Sequence, residues 1–172
     1  MKQERCPHCG RPGTLNRHSR MTGKGFGARC ERVPRGQRVY CSARGRRGGC
    51  GRTFAIYLSG VVPRHSVDAP ALSRLFAGLL AGLSLKAAAE ALRAPFALET
   101  FYHARARLRR RLDALRVLLC RESGPPACAF ADPLLQTLAH LRGASSSAPS
   151  ASGGSSGMCA WFQLRFQRPF LG

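Results

Sequence analysis

Acidic residues are scarce in this chain. Only eight of its 172 residues are Asp or Glu, against 28 Lys and Arg, which gives a formal charge of +20 and a pI near 11.4. Lysine is nearly missing as well, with three copies, so the excess is carried by arginine. A GC-rich genome favours Arg, Ala and Gly codons, but codon drift does not explain the sign of the net charge. A polyanion does, because the planar guanidinium fork suits both phosphate oxygens and guanine edges. Long apolar runs are also lacking, which argues against a membrane span. Met1 to Arg5 is charged with no apolar stretch behind it, so no export signal is expected. These absences point to a cytoplasmic protein in a reducing compartment, where paired cysteines read as metal ligands rather than as disulfides.

The eight cysteines are unevenly placed. Cys6-Pro-His-Cys9-Gly10 is a Cys-x-x-Cys turn closed by glycine, and Cys50-Gly51-Arg-Thr-Phe54 has the same closing glycine. Such a turn brings thiolates round one tetrahedral ion, because glycine tolerates the positive φ that the turn needs. No βαβ pattern surrounds Cys6 and Cys9, so a redox dithiol is disfavoured and Zn²⁺ is the expected ion. The fourth ligand is open at this point. A regular second knuckle would carry a cysteine three residues before Cys50, where Arg47 stands; the candidates are Cys41, Cys30 and His8. With Cys41, the segment 42–49 becomes a basic loop bearing Arg44, Arg46 and Arg47. Cys120, Cys128 and Cys159 are isolated and read as buried or incidental thiols.

Composition divides the chain. Residues 1–58 are rich in Gly and Arg, poor in aliphatics, and hold short β-type stretches at Gly36 to Tyr40 and Thr53 to Leu58. So little apolar surface does not fold alone; a structural zinc, worth roughly 10 to 16 kcal/mol in small zinc peptides, supplies the deficit. Residues 59–69 read as a linker. Leu72, Leu75, Phe76, Leu79, Leu80 and Leu83 then form the apolar stripe of a helix starting near Pro70. Ser84 caps a short second helix, Leu85 to Leu92, that buries Leu85, Ala88, Ala89 and Leu92. After the break at Arg93 to Pro95, one long third helix is expected from about Ala97 to Cys120, about 35 Å at 1.5 Å per residue. Its apolar side is Leu98, Phe101, Leu108, Leu112, Leu115 and Leu119, with a coiled-coil seam between two chains as the alternative use of the last four.

Residues 122–142 form a partly helical extension with a short helix at Pro133 to Leu141. The Ser-, Ala-, Gly- and Pro-rich stretch at 143–158 reads as disordered linker. An aromatic, basic tail at 159–172 either docks back onto the helices or binds a partner. The expected fold is thus a small zinc β-ribbon followed by an all-α helix-turn-helix bundle. In that motif the last helix enters the major groove. Thr100, His103 and Arg107 lie on one side of it, with Tyr102, Arg110 and Arg111 beside them, suited to base edges and phosphates. A solvated helix face usually alternates its charges, and this one is nearly all positive.

Taken together, C-P-x-C-G, R-V-Y-C, C-G-R-T-F and the helical L-S-L-K-A-A-A-E resemble the zinc-ribbon plus helix-turn-helix N-terminal regions of bacterial insertion-sequence transposases and their accessory DNA-binding proteins. The resemblance covers residues 4 to about 121. It implies Cys6, Cys9, Cys41 and Cys50 as zinc ligands and the 97–111 helix as the recognition element, although the Cys41 to Cys50 spacing is longer than in that pattern. Full transposases of this kind carry three carboxylates on two metal ions. Here Glu4, Glu31, Asp68, Glu90, Glu99, Asp113, Glu122 and Asp132 are scattered, so no enzyme is expected. The implied partners are double-stranded DNA and a transposase or a second copy of the chain, with no membrane and no small-molecule substrate. Two other functions fit the same residues: an RNA- or ribosome-associated zinc-ribbon protein, and an assembly adaptor whose helices and tail bind protein.

Overall fold

The computed structural model describes residues 4–24, 32–43, 48–147 and 157–171. They fall into two compact units, one running to Leu58 and the other from Ser59.

The first unit is a three-stranded antiparallel sheet in the order β1-β2-β3, with β1 at Leu15–Lys24, β2 at Arg32–Cys41 and β3 at Thr53–Tyr57. β2 is central, and its Val39 pairs with Arg17 on one side and Phe54 on the other. Val39 and Cys41 are fully buried, whereas β3 is mostly exposed. β1 was not expected from sequence: its ten residues hold only Leu15 and Met21 as large apolar side chains, so no alternation marks it. The backbone ladder to β2 defines it instead, through a register shifted between Arg17 and Ser19 and again between Met21 and Thr22. Such shifts are where an extra residue bulges out of a strand.

The second unit is helical. Asp68 accepts a hydrogen bond from the Ala71 amide at 2.8 Å and caps α1, Ala69–Leu80. Ser84 caps α2, Leu85–Ala91, in the same way through the Ala87 amide. Gly78 on α1 faces Ala88 on α2 so closely that a Cβ on the glycine would meet the Ala88 methyl at 3.1 Å. The linker expected at 59–69 is part of this unit, because Val61, Val62 and Val67 are buried in it. Leu83, expected on the α1 stripe, lies beyond the helix and is exposed.

The long third helix is two helices. α3 spans Leu98–Arg110 and α4 spans Leu112–Cys120, with Arg111 between them at φ −110°, ψ 5°. No proline or glycine marks this break, so apolar periodicity runs straight through it. The Arg111 guanidinium instead reaches the tail, with Nη1 donating to the Pro169 carbonyl at 2.7 Å and to that of Phe170 at 3.3 Å. A tertiary contact of this kind is invisible to local patterning. Phe101, Leu108, Leu115 and Leu119 are buried and Leu98 and Leu112 pack against the same core, so the leucines that a two-chain seam would use as the alternative are spent within the chain.

α5 extends to Pro133–Ser147, past the expected end at Leu141 and into the stretch read as disordered. The Ser145, Ser146 and Ser147 hydroxyls donate back to carbonyls three or four residues earlier, which lets serine continue a helix. Residues 148–156 lie outside the described residues. α6, Met158–Phe166, then packs on α1: Cys159 donates its amide to Ser73 Oγ at 3.2 Å, and Gly157 approaches Ser73 too closely for any side chain. Phe162, Phe170 and Phe76 stack edge to face or tilted, with centroids 5.4 to 5.9 Å apart. Fully burying two phenylalanines is worth about 3 to 6 kcal/mol, so the tail is part of the core. Among the described residues no helix is long and apolar enough to cross a membrane.

Candidate metal centre and basic helix face

Four sulfurs converge at the base of the sheet. Cys6, Cys9, Cys41 and Cys50 offer ligand atoms that all lie within 4.8 Å of one another. Cys6 Sγ is 3.8 Å from Cys50 Sγ, and Cys9 Sγ is 3.8 Å from Cys41 Sγ. These separations far exceed a disulfide's ~2.05 Å. They match the edge of a tetrahedron whose centre lies ~2.3 Å from each sulfur, the usual metal–thiolate distance, which gives an edge of ~3.8 Å. The four cysteines can therefore hold one metal ion.

Local backbone geometry makes the convergence. The Gly10 amide donates to the Cys6 carbonyl at 2.8 Å and the Gly51 amide to the Cys41 carbonyl at 3.0 Å, each glycine at φ 71°. The His8 amide donates to Cys6 Sγ at 3.4 Å and the Cys50 amide to Cys41 Sγ at 3.3 Å, so backbone dipoles already favour negative sulfur. Across the long spacing from Cys41 to Cys50, the Gly49 amide donates to the Ser42 carbonyl at 2.8 Å, so the described ends of the insertion meet beside Cys41. His8 turns its ring onto Phe54 at 5.9 Å and is not one of the convergent ligands. Cys30, Arg44, Arg46 and Arg47 lie outside the described residues.

Thr14 is the residue that motif reading missed. Its hydroxyl hydrogen-bonds Cys41 Sγ at 3.1 Å and pulls the Cys41 thiol down to about 6, against the desolvation of a buried group. At Cys50 the Arg52 amide pulls the other way from the outcome: desolvation and the neighbouring sulfurs of Cys6, Cys41 and Cys9 raise it to about 11. One sulfur of the cluster thus takes a negative charge readily and a second resists it, as expected for like charges at contact. A divalent cation removes that conflict and releases protons as it binds. Cys120 and Cys128 are exposed, and Cys159 is buried among the helices.

On α3 the structure separates the expected nucleic-acid residues. Thr100, His103, Arg107 and Arg110 recur at three- and four-residue steps and so form one stripe. At ~100° per residue this stripe lies about a third of a turn round from the buried row Phe101, Ala104 and Leu108. His103, Arg107 and Arg110 are exposed and Thr100 is half-buried. Arg107 Nη1 meets His65 Nε2 at 3.0 Å, while Arg110 has no partner among the described residues. Arg111 is not on this face in practice, since it is committed to the tail carbonyls. Arg109 pairs with Asp132 at 3.1 Å. The turn between α2 and α3 contains Arg93 in the left-handed region at φ 47°, a position that favours glycine.

No family model matches the chain, and no curated protein or solved structure matches it.

Proposed function

We propose that this chain is a zinc-stabilised DNA-binding protein, accessory or regulatory to a mobile element, that reads duplex DNA with α3 and carries no nuclease of its own. The observation that carries the reading is the α3 stripe of Thr100, His103, Arg107 and Arg110, which stands clear of the buried row on a helix whose only acidic residue is Glu99 in the first turn. Side chains of this type at this spacing suit a major groove, whereas A-form RNA closes its major groove to them.

Zinc is the metal that the donor set favours: four thiolates in tetrahedral array select Zn²⁺ or iron, and a site made of four cysteines with no open position is structural. For the reading without a nuclease, the four cysteines are the one group of three or more possible metal ligands that converges among the described residues, and several carboxylates have other partners. Asp68 caps α1, Asp132 caps Leu134 and pairs with Arg109, Glu122 pairs with Arg165, and Glu90 pairs with Lys86.

Duplex binding followed by fluorescence anisotropy over a range of salt concentrations tests the proposal. The metal-loaded chain should bind duplex DNA with a steep salt dependence, and Arg110→Ala should flatten it by about 0.9 in slope, the share of one neutralised phosphate. Wild-type binding that is absent, or a slope that Arg110→Ala leaves unchanged, would refute duplex recognition through α3.

A further inference from the structure

The ribbon sheet has two unlike faces. Cross-strand partners share a face, and so do alternate residues of one strand. Cys41, Val39 and Phe54 therefore lie on the metal side, where Cys41 and Val39 are fully buried. The other side carries Tyr40 beside Asn16 and Thr53, then Arg38 beside Ser19 and Ala55, then Gly36 beside Met21 and Tyr57. His18, at the bulge of β1, joins this side, because its ring meets Tyr40 edge-on at 6.5 Å.

This second face has the composition of a stacking platform. Tyr57 is 38% exposed and Arg38 is exposed, while Tyr40 is half-buried with its hydroxyl fixed by Ser42 Oγ at 3.3 Å. The two tyrosines are four register positions apart, ~13 Å along the strands, and Arg38 stands midway. Its cross-strand neighbours are Ser19 and Ala55, both too small to cover it. Among the described residues no carboxylate shares this face, and up to Leu58 the chain holds 14 basic residues against Glu4 and Glu31. The charge calls for a polyanion, and one exposed and one half-buried ring on either side of a cation call for bases whose π-faces are free. Paired, stacked bases hide those faces, so a duplex does not meet both demands.

We infer that the open face of the ribbon sheet binds single-stranded DNA, stacking unpaired bases on Tyr40 and Tyr57 while Arg38 neutralises the phosphates between them. This rests on the reading of the chain as a DNA-binding protein, but not on α3. It gives the molecule two separable contacts, one for duplex and one for an unpaired strand.

Anisotropy of a labelled oligodeoxythymidine about 12 nucleotides long, titrated with the full metal-loaded chain, tests it. Tyr57→Leu and Tyr40→Leu should each weaken binding by about 5- to 150-fold, the range for removal of one base–aromatic stack, while Tyr57→Phe retains it. Metal content of each variant checks that the ribbon has formed. Arg38→Gln, an exposed change that disturbs no packing, should lower the salt slope by about 0.7. Duplex affinity should stay unchanged in the tyrosine variants. No oligodeoxythymidine binding by wild type, wild-type affinity in Tyr40→Leu and Tyr57→Leu, or an unaltered slope in Arg38→Gln would overturn the inference. Loss of duplex binding in the α3 variants with oligodeoxythymidine binding intact supports both contacts, and failure of α3 alone leaves this one standing.

Discussion

Gly10 and Gly51 follow Cys9 and Cys50 directly, and both sit at φ 71° in the left-handed region. Two segments 41 residues apart in sequence thus make the same turn round the same cluster of sulfurs. Neither glycine is there for space: a Cβ on Gly10 would meet nothing within 4 Å, and one on Gly51 only the Ala43 methyl at 3.8 Å. Gly49 is the reverse case, since a Cβ there would lie 2.2 Å from the Ser42 carbonyl oxygen and 2.6 Å from Cys41 Sγ. Gly10→Ala and Gly51→Ala should therefore each cost about 1 to 2 kcal/mol, the penalty of a left-handed L-residue. Gly49→Ala should be the most damaging of the three. Competition with a chromophoric chelator checks the order; equal metal affinity in all three variants would contradict it.

Metal analysis of the purified chain should give one zinc per molecule, with X-ray absorption reporting four sulfurs at ~2.3 Å. Cys41→Ser should lose the ion, as should Cys6→Ser, Cys9→Ser and Cys50→Ser, whereas Cys120→Ser and Cys128→Ser should retain it. A nitrogen in the coordination shell would bring His8 back as a ligand.

Cys159 links the helical unit to pH. Burial, partly offset by Ser73, pushes its thiol from an ordinary 9.0 up to about 12. The neutral form is the one the fold prefers, so its contribution to stability is complete below pH ~9 and is lost as pH rises toward 12. Urea unfolding at stepped pH should show stability falling by up to about 1.4 kcal/mol per pH unit over that window beyond any fall in Cys159→Ala. Parallel pH profiles for the two proteins would show that Cys159 does not titrate on unfolding.

Legibility of the fold followed the range of the interactions that determine each part. The start of α2 at Ser84 was readable because a cap is local, that of α1 near Pro70 because proline suits a first turn, and Leu72, Leu75 and Phe76 because one helix face repeats at 3.6 residues; the Asp68 cap itself falls in the stretch that reads as linker. The Cys6, Cys9, Cys41 and Cys50 cluster was legible only in part. Turn chemistry marks Cys9 and Cys50, but Cys41 is brought in by the end of β2 and by Thr14. The break at Arg111, the burial of Val61 and Val62 and the docking of Phe162 and Phe170 depend on residues distant in sequence. β1 is defined by its ladder rather than by its side chains.

A binding selection from randomised duplex DNA, run with the metal-loaded chain, shows whether α3 reads sequence, because phosphate contacts set affinity while base contacts set specificity. Wild type should enrich a defined motif. His103→Ala and Arg107→Ala should relax the preference at one or two positions, at a cost of about 1 to 3 kcal/mol on the preferred site. Replacing Arg44, Arg46 and Arg47 together should weaken all sequences alike and leave the motif intact. Enrichment of no motif by wild type, or of the same motif by the α3 variants, would contradict the account of α3 as the element that reads sequence.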